Sequence, residues 1–219
     1  LVKNINLDSR EKTSETKVEE ENIRQWKRSE VIKDYRFYII NLNMLAMPWI
    51  ATGSFVYQSF ISDSKGWGQY IIAQSFMSYS VLSVITLLIS GFLIDKFTSR
   101  KLLIYMNIPL LLAAFVIFYF NNPISAFFFL GLIGICNGFA NVLGSSTWAE
   151  IYGVKHIGSI KALTTALMVF ATAFGTALFG FLIDLGFSIE QIAVVSGTYI
   201  SISLILLFIV RKKLNPNFI

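Results

Sequence analysis

Six long apolar blocks follow one another with only short polar breaks between them, near residues 37–60, 67–94, 101–120, 124–148, 158–184 and 189–210. A helix needs roughly 20 mostly apolar residues to cross about 30 Å of hydrocarbon, and each block meets that length. Buried core helices of a large soluble protein would also be apolar. Six in a row with loops this short, however, leave almost no sequence to cover them. The first block starts too late and runs too long to be a cleaved signal peptide. The chain therefore reads as all-α, a polytopic membrane protein built as a six-transmembrane-helix bundle. Composition agrees, since only 14% of its residues are charged against about 25% in an ordinary soluble domain.

The charges that remain are unevenly placed. Nine of the 18 Lys and Arg residues and eight of the 13 Asp and Glu residues fall within 1–36. Lys and Arg stay in the cytoplasm during insertion, so their loop bias sets topology. With the N-terminus inside, the cytoplasmic segments hold 17 of the 18 basic residues and the outer segments only Lys65. Both termini are then cytoplasmic, and a bacterial inner membrane is the expected location. Basic residues at span ends, rather than on one patch, exclude nucleic acid as a partner; the lipid bilayer is the partner.

Residues 1–22 are charge-dense and aperiodic and read as a disordered linker. Residues 23–36, with Ile23, Trp26 and Ile32, suggest an amphipathic helix on the inner membrane face, and 214–219 a cytoplasmic tail. Trp67 and Tyr70 at one edge, and Trp148 and Tyr152 at the other, suit an aromatic belt. Pro48 interrupts the first span beside Trp49. The lone Cys136 excludes an intrachain disulfide, and no residue cluster suggests a metal or a cofactor.

Between the second and third blocks stands Gly91-Phe92-Leu93-Ile94-Asp95-Lys96-Phe97-Thr98-Ser99-Arg100-Lys101. This resembles the cytoplasmic signature loop of the major facilitator superfamily, a Gly-x-Leu-x-Asp-Arg-x-Gly-Arg-Arg pattern. Gly91, Leu93, Asp95, Lys96 and Arg100 match in kind, while Thr98 replaces the second glycine and Ser99 a basic residue. The lead-in from Trp26 to Phe37 is similar to the family's approach to its seventh helix. Trp148 to Gly153, followed by His156 to Lys161, is similar to its link between the tenth and eleventh. The small-residue run Ala171, Ala173, Gly175, Ala177 and Gly180 is similar to the eleventh helix, and the flavour is closest to the monocarboxylate and oxalate/formate branch. Across roughly 23–213, the resemblance implies the C-terminal six-helix half of a twelve-span carrier, with a 3+3 inverted repeat and a missing N-terminal six-helix lobe as partner. It also implies a gating role for the loop residues Gly91, Asp95, Lys96 and Arg100. The pentapeptide Gly-Phe-Leu-Ile-Asp recurs at 91–95 and 180–184, ending spans two and five, which correspond in such a repeat.

A carrier needs polar groups at mid-membrane, where they are costly unless they face a cavity or a partner helix. By helical periodicity Asn43, Ser54, Tyr57 and Gln58 fall close to one face. Gln74 and Ser78 follow in the second span, and Asn137, Asn141 and Ser145 at steps of four in the fourth. Asn43, Tyr57, Gln58, Gln74, Asn137 and Asn141 are thus the candidates to line a substrate cavity. Gly134 and Gly138, spaced as a close-packing seam, are assigned to helix packing, as are Gly175 and Gly180. No acidic, basic or histidine residue lies at mid-membrane, so a proton-coupling group would have to sit in the other lobe. His156 falls in a loop.

No protease, nucleotide-binding or intramembrane-hydrolase motif is present, and Gly144-Ser145-Ser146-Thr147 is not a rhomboid nucleophile. The expected function is secondary transport of a small-molecule substrate, not catalysis. A self-contained six-span half-carrier or channel subunit is the alternative.

Overall fold

A computed structural model describes residues 24–214; the linker expected over 1–22 and the tail beyond Leu214 lie outside them. The described residues form helices α1 (Arg28–Val31), α2 (Tyr35–Val56), α3 (Gln58–Lys65), α4 (Gln69–Phe97), α5 (Ser99–Leu102), α6 (Ile108–Tyr119), α7 (Ile124–Tyr152), α8 (Ile157–Asp184) and α9 (Ile189–Val210). A 3₁₀ turn, Arg211–Leu214, closes the series. Five helices are long and apolar enough to span a membrane.

The third expected span departs from this pattern. Over 101–120 the chain forms α5, hydrogen-bonded turns through 103–107, and only then the 12-residue α6. Pro109 lacks an N–H, and its ring clashes with a helical carbonyl four residues back, so a helix running through it is kinked or broken, and here it is broken. Asn107 becomes the N-cap instead, and Pro109 sits in the first turn, where proline costs nothing. Pro48, by contrast, is carried inside α2. The first span stops at Val56; a break at Tyr57 separates it from α3.

Two parallel pairs of helices organise the bundle. Along α2 and α8, Trp49 is level with Gly175, Gly53 with Phe179 and Tyr57 with Gly180; along α4 and α7, Ser78 is level with Gly131, Tyr79 with Gly134 and Ser83 with Gly138. α6 packs on α7 as α9 packs on α2, and α6 and α9 meet each other. Exchanging spans one to three with four to six maps the α2–α8 pair onto α7–α4 and the α6–α7 contact onto α9–α2, and leaves the α6–α9 contact on itself. Three spans invert direction, so the operation is the inverted repeat of carrier halves.

Small residues make the pairs possible. A Cβ at Gly134 would strike the Tyr79 carbonyl, and one at Gly175 the Trp49 carbonyl; at Gly138 it would come within 2.7 Å of the Ser83 oxygen. Backbones approach this closely only where a side chain is missing. Gly180 faces the Tyr57 hydroxyl. Gly91 is different, because a Cβ there would meet nothing within 4 Å. It faces open space, not a neighbouring helix among the described residues.

Candidate functional site

The six cavity candidates do not converge. Asn43 is fully buried and sits in a closed amide cluster. Its Nδ2 donates to the Leu103 carbonyl (3.3 Å), and its own backbone carbonyl and Oδ1 accept from Asn107 Nδ2 (2.6 and 2.9 Å). Ser203 adds a long contact of 3.5 Å to the same Oδ1. The group ties α2 to the turn before α6 and to α9. Buried amides satisfied in this way hold helices in register.

Asn137, near the middle of α7, donates to Ser83 Oγ of α4 at 2.8 Å. Asn141, one turn further, is exposed and donates to the Asn137 carbonyl. Gln74 is exposed on α4. The pairing of Ser78 with Gly131 puts Gln74 about fourteen residues from Asn141 along the pair, roughly 20 Å at 1.5 Å per residue. Tyr57 and Gln58 stand at the α2–α3 break, half-buried, with the Tyr57 ring stacked on Phe179 at 6.4 Å. The open polar face is therefore spread along the bundle, with Asn141 and Ser145 of α7 exposed toward one end and Gln74 toward the other.

The aromatic belt also departs from expectation. Trp67, Trp148 and Tyr152 are buried, and of the four only Tyr70 is exposed. Trp67 donates its indole N–H to the Asn121 carbonyl at 3.0 Å. An amphipathic ring whose N–H finds a carbonyl inside the protein has no need of the lipid interface.

At the basic end of the bundle the lead-in segment is docked rather than laid on a surface. Ahead of α2 its described part, 24–34, holds only the single turn α1, where an amphipathic helix over 23–36 was expected. The reason is tertiary. Trp26 donates its backbone N–H to the Tyr152 carbonyl and packs edge-on against the Tyr152 ring at 5.5 Å. Asp34 accepts from Arg36 Nε at 2.8 Å and from the Tyr152 hydroxyl at 3.1 Å. Arg36 also donates to the Lys213 carbonyl at 3.0 Å. The start of α2 and the ends of α7 and α9 are clamped together, so both ends of the described chain lie at one end of the bundle. The opposite end has a smaller clip, in which buried Lys65 donates to Glu190 (2.6 Å) and Asn121 (2.8 Å).

The signature-like loop lies at the basic end. Asp95 and Lys96 close α4, both exposed. Thr98 follows with φ 67° and ψ 147°, a conformation that is essentially glycine's. Beyond it, Glu150 of α7 accepts from the backbone N–H groups of Ser99 (2.8 Å) and Arg100 (3.3 Å) and from Arg100 Nε (3.3 Å). One carboxylate thus satisfies the start of α5 and pairs with a loop arginine. Arg100 reaches the Leu214 carbonyl as well. Glu150 was visible in the sequence as a carboxylate near a span end, but its partner 50 residues earlier was not.

Among the described residues no group of three or more His, Cys, Asp or Glu residues could hold a metal, and the buried Cys136 thiol faces Asn107 Oδ1 at 3.4 Å. The sequence profile of the Major Facilitator Superfamily matches residues 38–218. Neither a curated protein nor a solved structure matches the chain. The inverted pairing of α2 with α8 and α7 with α4, the loop after α4 and the profile across most of the sequence agree: the chain belongs to the major facilitator superfamily.

Proposed function

We propose that this chain supplies the C-terminal lobe of a secondary active transporter that moves a small organic solute by alternating access, with a small carboxylate the class favoured by the family resemblance. Membership of the superfamily makes a transporter the general function; lobe and substrate are the finer reading.

The observation that carries it is the uneven cover of the spans. Within the most apolar stretch, 67% of α2 and 50% of α7 are buried, but only 17% of α4 and 22% of α8. Helices this exposed need a cover on more than one side, and lipid is a poor one for Gln74 and Thr165, exposed on them, or for Asn141 and Ser145 on α7. A second lobe across a water-filled cleft covers both kinds of surface. The clamped end, rich in Lys and Arg, is placed in the cytoplasm by the positive-inside bias, in a bacterial inner membrane. Any proton-coupling group belongs to the other lobe.

A self-contained six-span protein, homodimeric or part of a channel, would cover the same faces with a second copy. Reconstitution separates the readings. The isolated 219 residues are expected to carry no solute into liposomes, and counterflow of labelled small carboxylates is expected when a complementary six-span lobe is present. Uptake by the isolated chain would sink the lobe reading. Counterflow of sugars but not carboxylates would sink the substrate class alone.

A further inference from the structure

We propose that the seam between α6 and α9 binds an anionic phospholipid, its phosphate held at the basic end by Lys101 and Lys212 and its acyl chain laid between the two helices. A cavity of about 630 Å³ opens at the basic end of this seam, where the loop before α6 meets the turn after α9. Arg100, Lys101, Arg211 and Lys212 line it, with Ile104 and Leu214 as its apolar floor, and no carboxylate is among its walls.

Two of the four cations are engaged. Arg100 is paired with Glu150, and Arg211 lies over the Phe208 ring at 3.8 Å. Lys101 and Lys212 are exposed and have no carboxylate partner among the described residues. Two lysines lining one cavity whose walls hold no carboxylate are complementary to a phosphate.

The second observation lies along the same helix pair. A groove of about 590 Å³ runs between α6 and α9, with Leu112, Phe115 and Phe118 on one wall and Ile202 and Ile205 on the other. Tyr105 lines the cationic cavity and Leu111 the near end of the groove, six residues on, or about 10 Å. The groove therefore opens within the leaflet next to the cations, since one leaflet is about half of a 30 Å hydrocarbon core. A headgroup cavity with an apolar groove within acyl reach fits an amphiphile; a soluble phosphate would use only the first. Basic pockets between transmembrane helices at the cytoplasmic side are physically suited to anionic headgroups.

The test uses the full-length protein in detergent, titrated with phosphatidylglycerol or phosphatidylcholine and read by native mass spectrometry. Phosphatidylglycerol is expected to be retained at least about tenfold more strongly. The Lys101→Gln/Lys212→Gln variant is expected to erase that preference, because both side chains are exposed and their loss leaves the fold intact. The Lys155→Gln/Lys161→Gln variant, which removes two exposed cations elsewhere, should keep it. Equal retention of the two lipids overturns the proposal, as does equal loss in both double variants. Displacement of phosphatidylglycerol by an equal concentration of inorganic phosphate would reassign the cavity to a soluble anion and overturn it too.

Discussion

The pentapeptide Gly-Phe-Leu-Ile-Asp ends α4 and ends α8 again, yet the two helices stop by different physics. After Asp184 the chain turns through Leu185 into Gly186, at φ 83°. The Gly186 N–H bonds to the Ile183 carbonyl and the Phe187 N–H to the Leu182 carbonyl, which is the Schellman arrangement with glycine at its left-handed position. After Asp95 the chain reaches a comparable positive φ at Thr98, where a β-branched side chain sits in a region that suits glycine. Locally the Thr98 N–H bonds the Ile94 carbonyl and the Thr98 carbonyl accepts from the Leu102 N–H, but neither takes the Cβ out of that region. The link is held from across the bundle by Glu150 and, through Arg100, by the end of the 3₁₀ turn. One end is a self-contained stop; the other is a strained joint tied down by tertiary contacts. Strain of this kind belongs where a segment has to move, and only the α4 end carries the family's loop.

The largest expected effect follows from that dependence. Glu150→Ala removes a half-buried acceptor shared by two backbone N–H groups and a guanidinium, and should cost about 2–3 kcal/mol. Chemical unfolding of the full-length protein, or the midpoint of its thermal unfolding, would show it, with Glu150→Gln intermediate. A loss no larger than that of Gly186→Ala would break the comparison.

Transport should separate the two aspartates next. Asp95 stands exposed on the open face near Gly91, and Asp184 is exposed at the opposite end. If the joint after α4 meets the other lobe, Asp95→Asn removes a charged hydrogen bond made in only part of the cycle. Losing one such bond slows a step by about tenfold, whereas Asp184→Asn should stay within about twofold. Equal rates in the intact carrier would leave both ends as passive stops.

Much of this architecture was legible beforehand, and the misreadings share a cause. Helix existence followed from apolar length, and the repeated pentapeptide pointed to the correct corresponding spans. The break at Asn107 was hidden because Pro109 reads equally as a kink or as a first-turn residue until the neighbouring helices are known. Periodicity placed Asn43 on one face with Tyr57 and Gln58, but could not say that the Asn107 amide lay against part of that face. Trp148 and Tyr152 have the chemistry of a membrane belt; only their tertiary partners Phe37 and Trp26 make them interior residues. Sequence periodicity gives a residue's direction, and the structure supplies what stands there.

The remaining two substitutions form a mirrored pair. Gly186→Ala forces a Cβ into a left-handed position and should destabilise by about 1 kcal/mol. It meets no neighbouring atom within 4 Å, so backbone strain is its whole cost. Thr98→Gly does the reverse and relieves a Cβ at φ 67°, against the greater freedom that glycine gives the unfolded chain. The difference leaves a gain of roughly 0.5 kcal/mol or less. Its sign is more telling than its size, because glycine in an ordered segment is ordinarily destabilising. A rise in unfolding midpoint for Thr98→Gly, with a fall for Gly186→Ala, would establish that one joint stores strain and the other does not. If Thr98→Gly lowers the midpoint, the Glu150 and Arg100 contacts have relaxed the joint, and the asymmetry between the two helix ends would then lie in the charges alone.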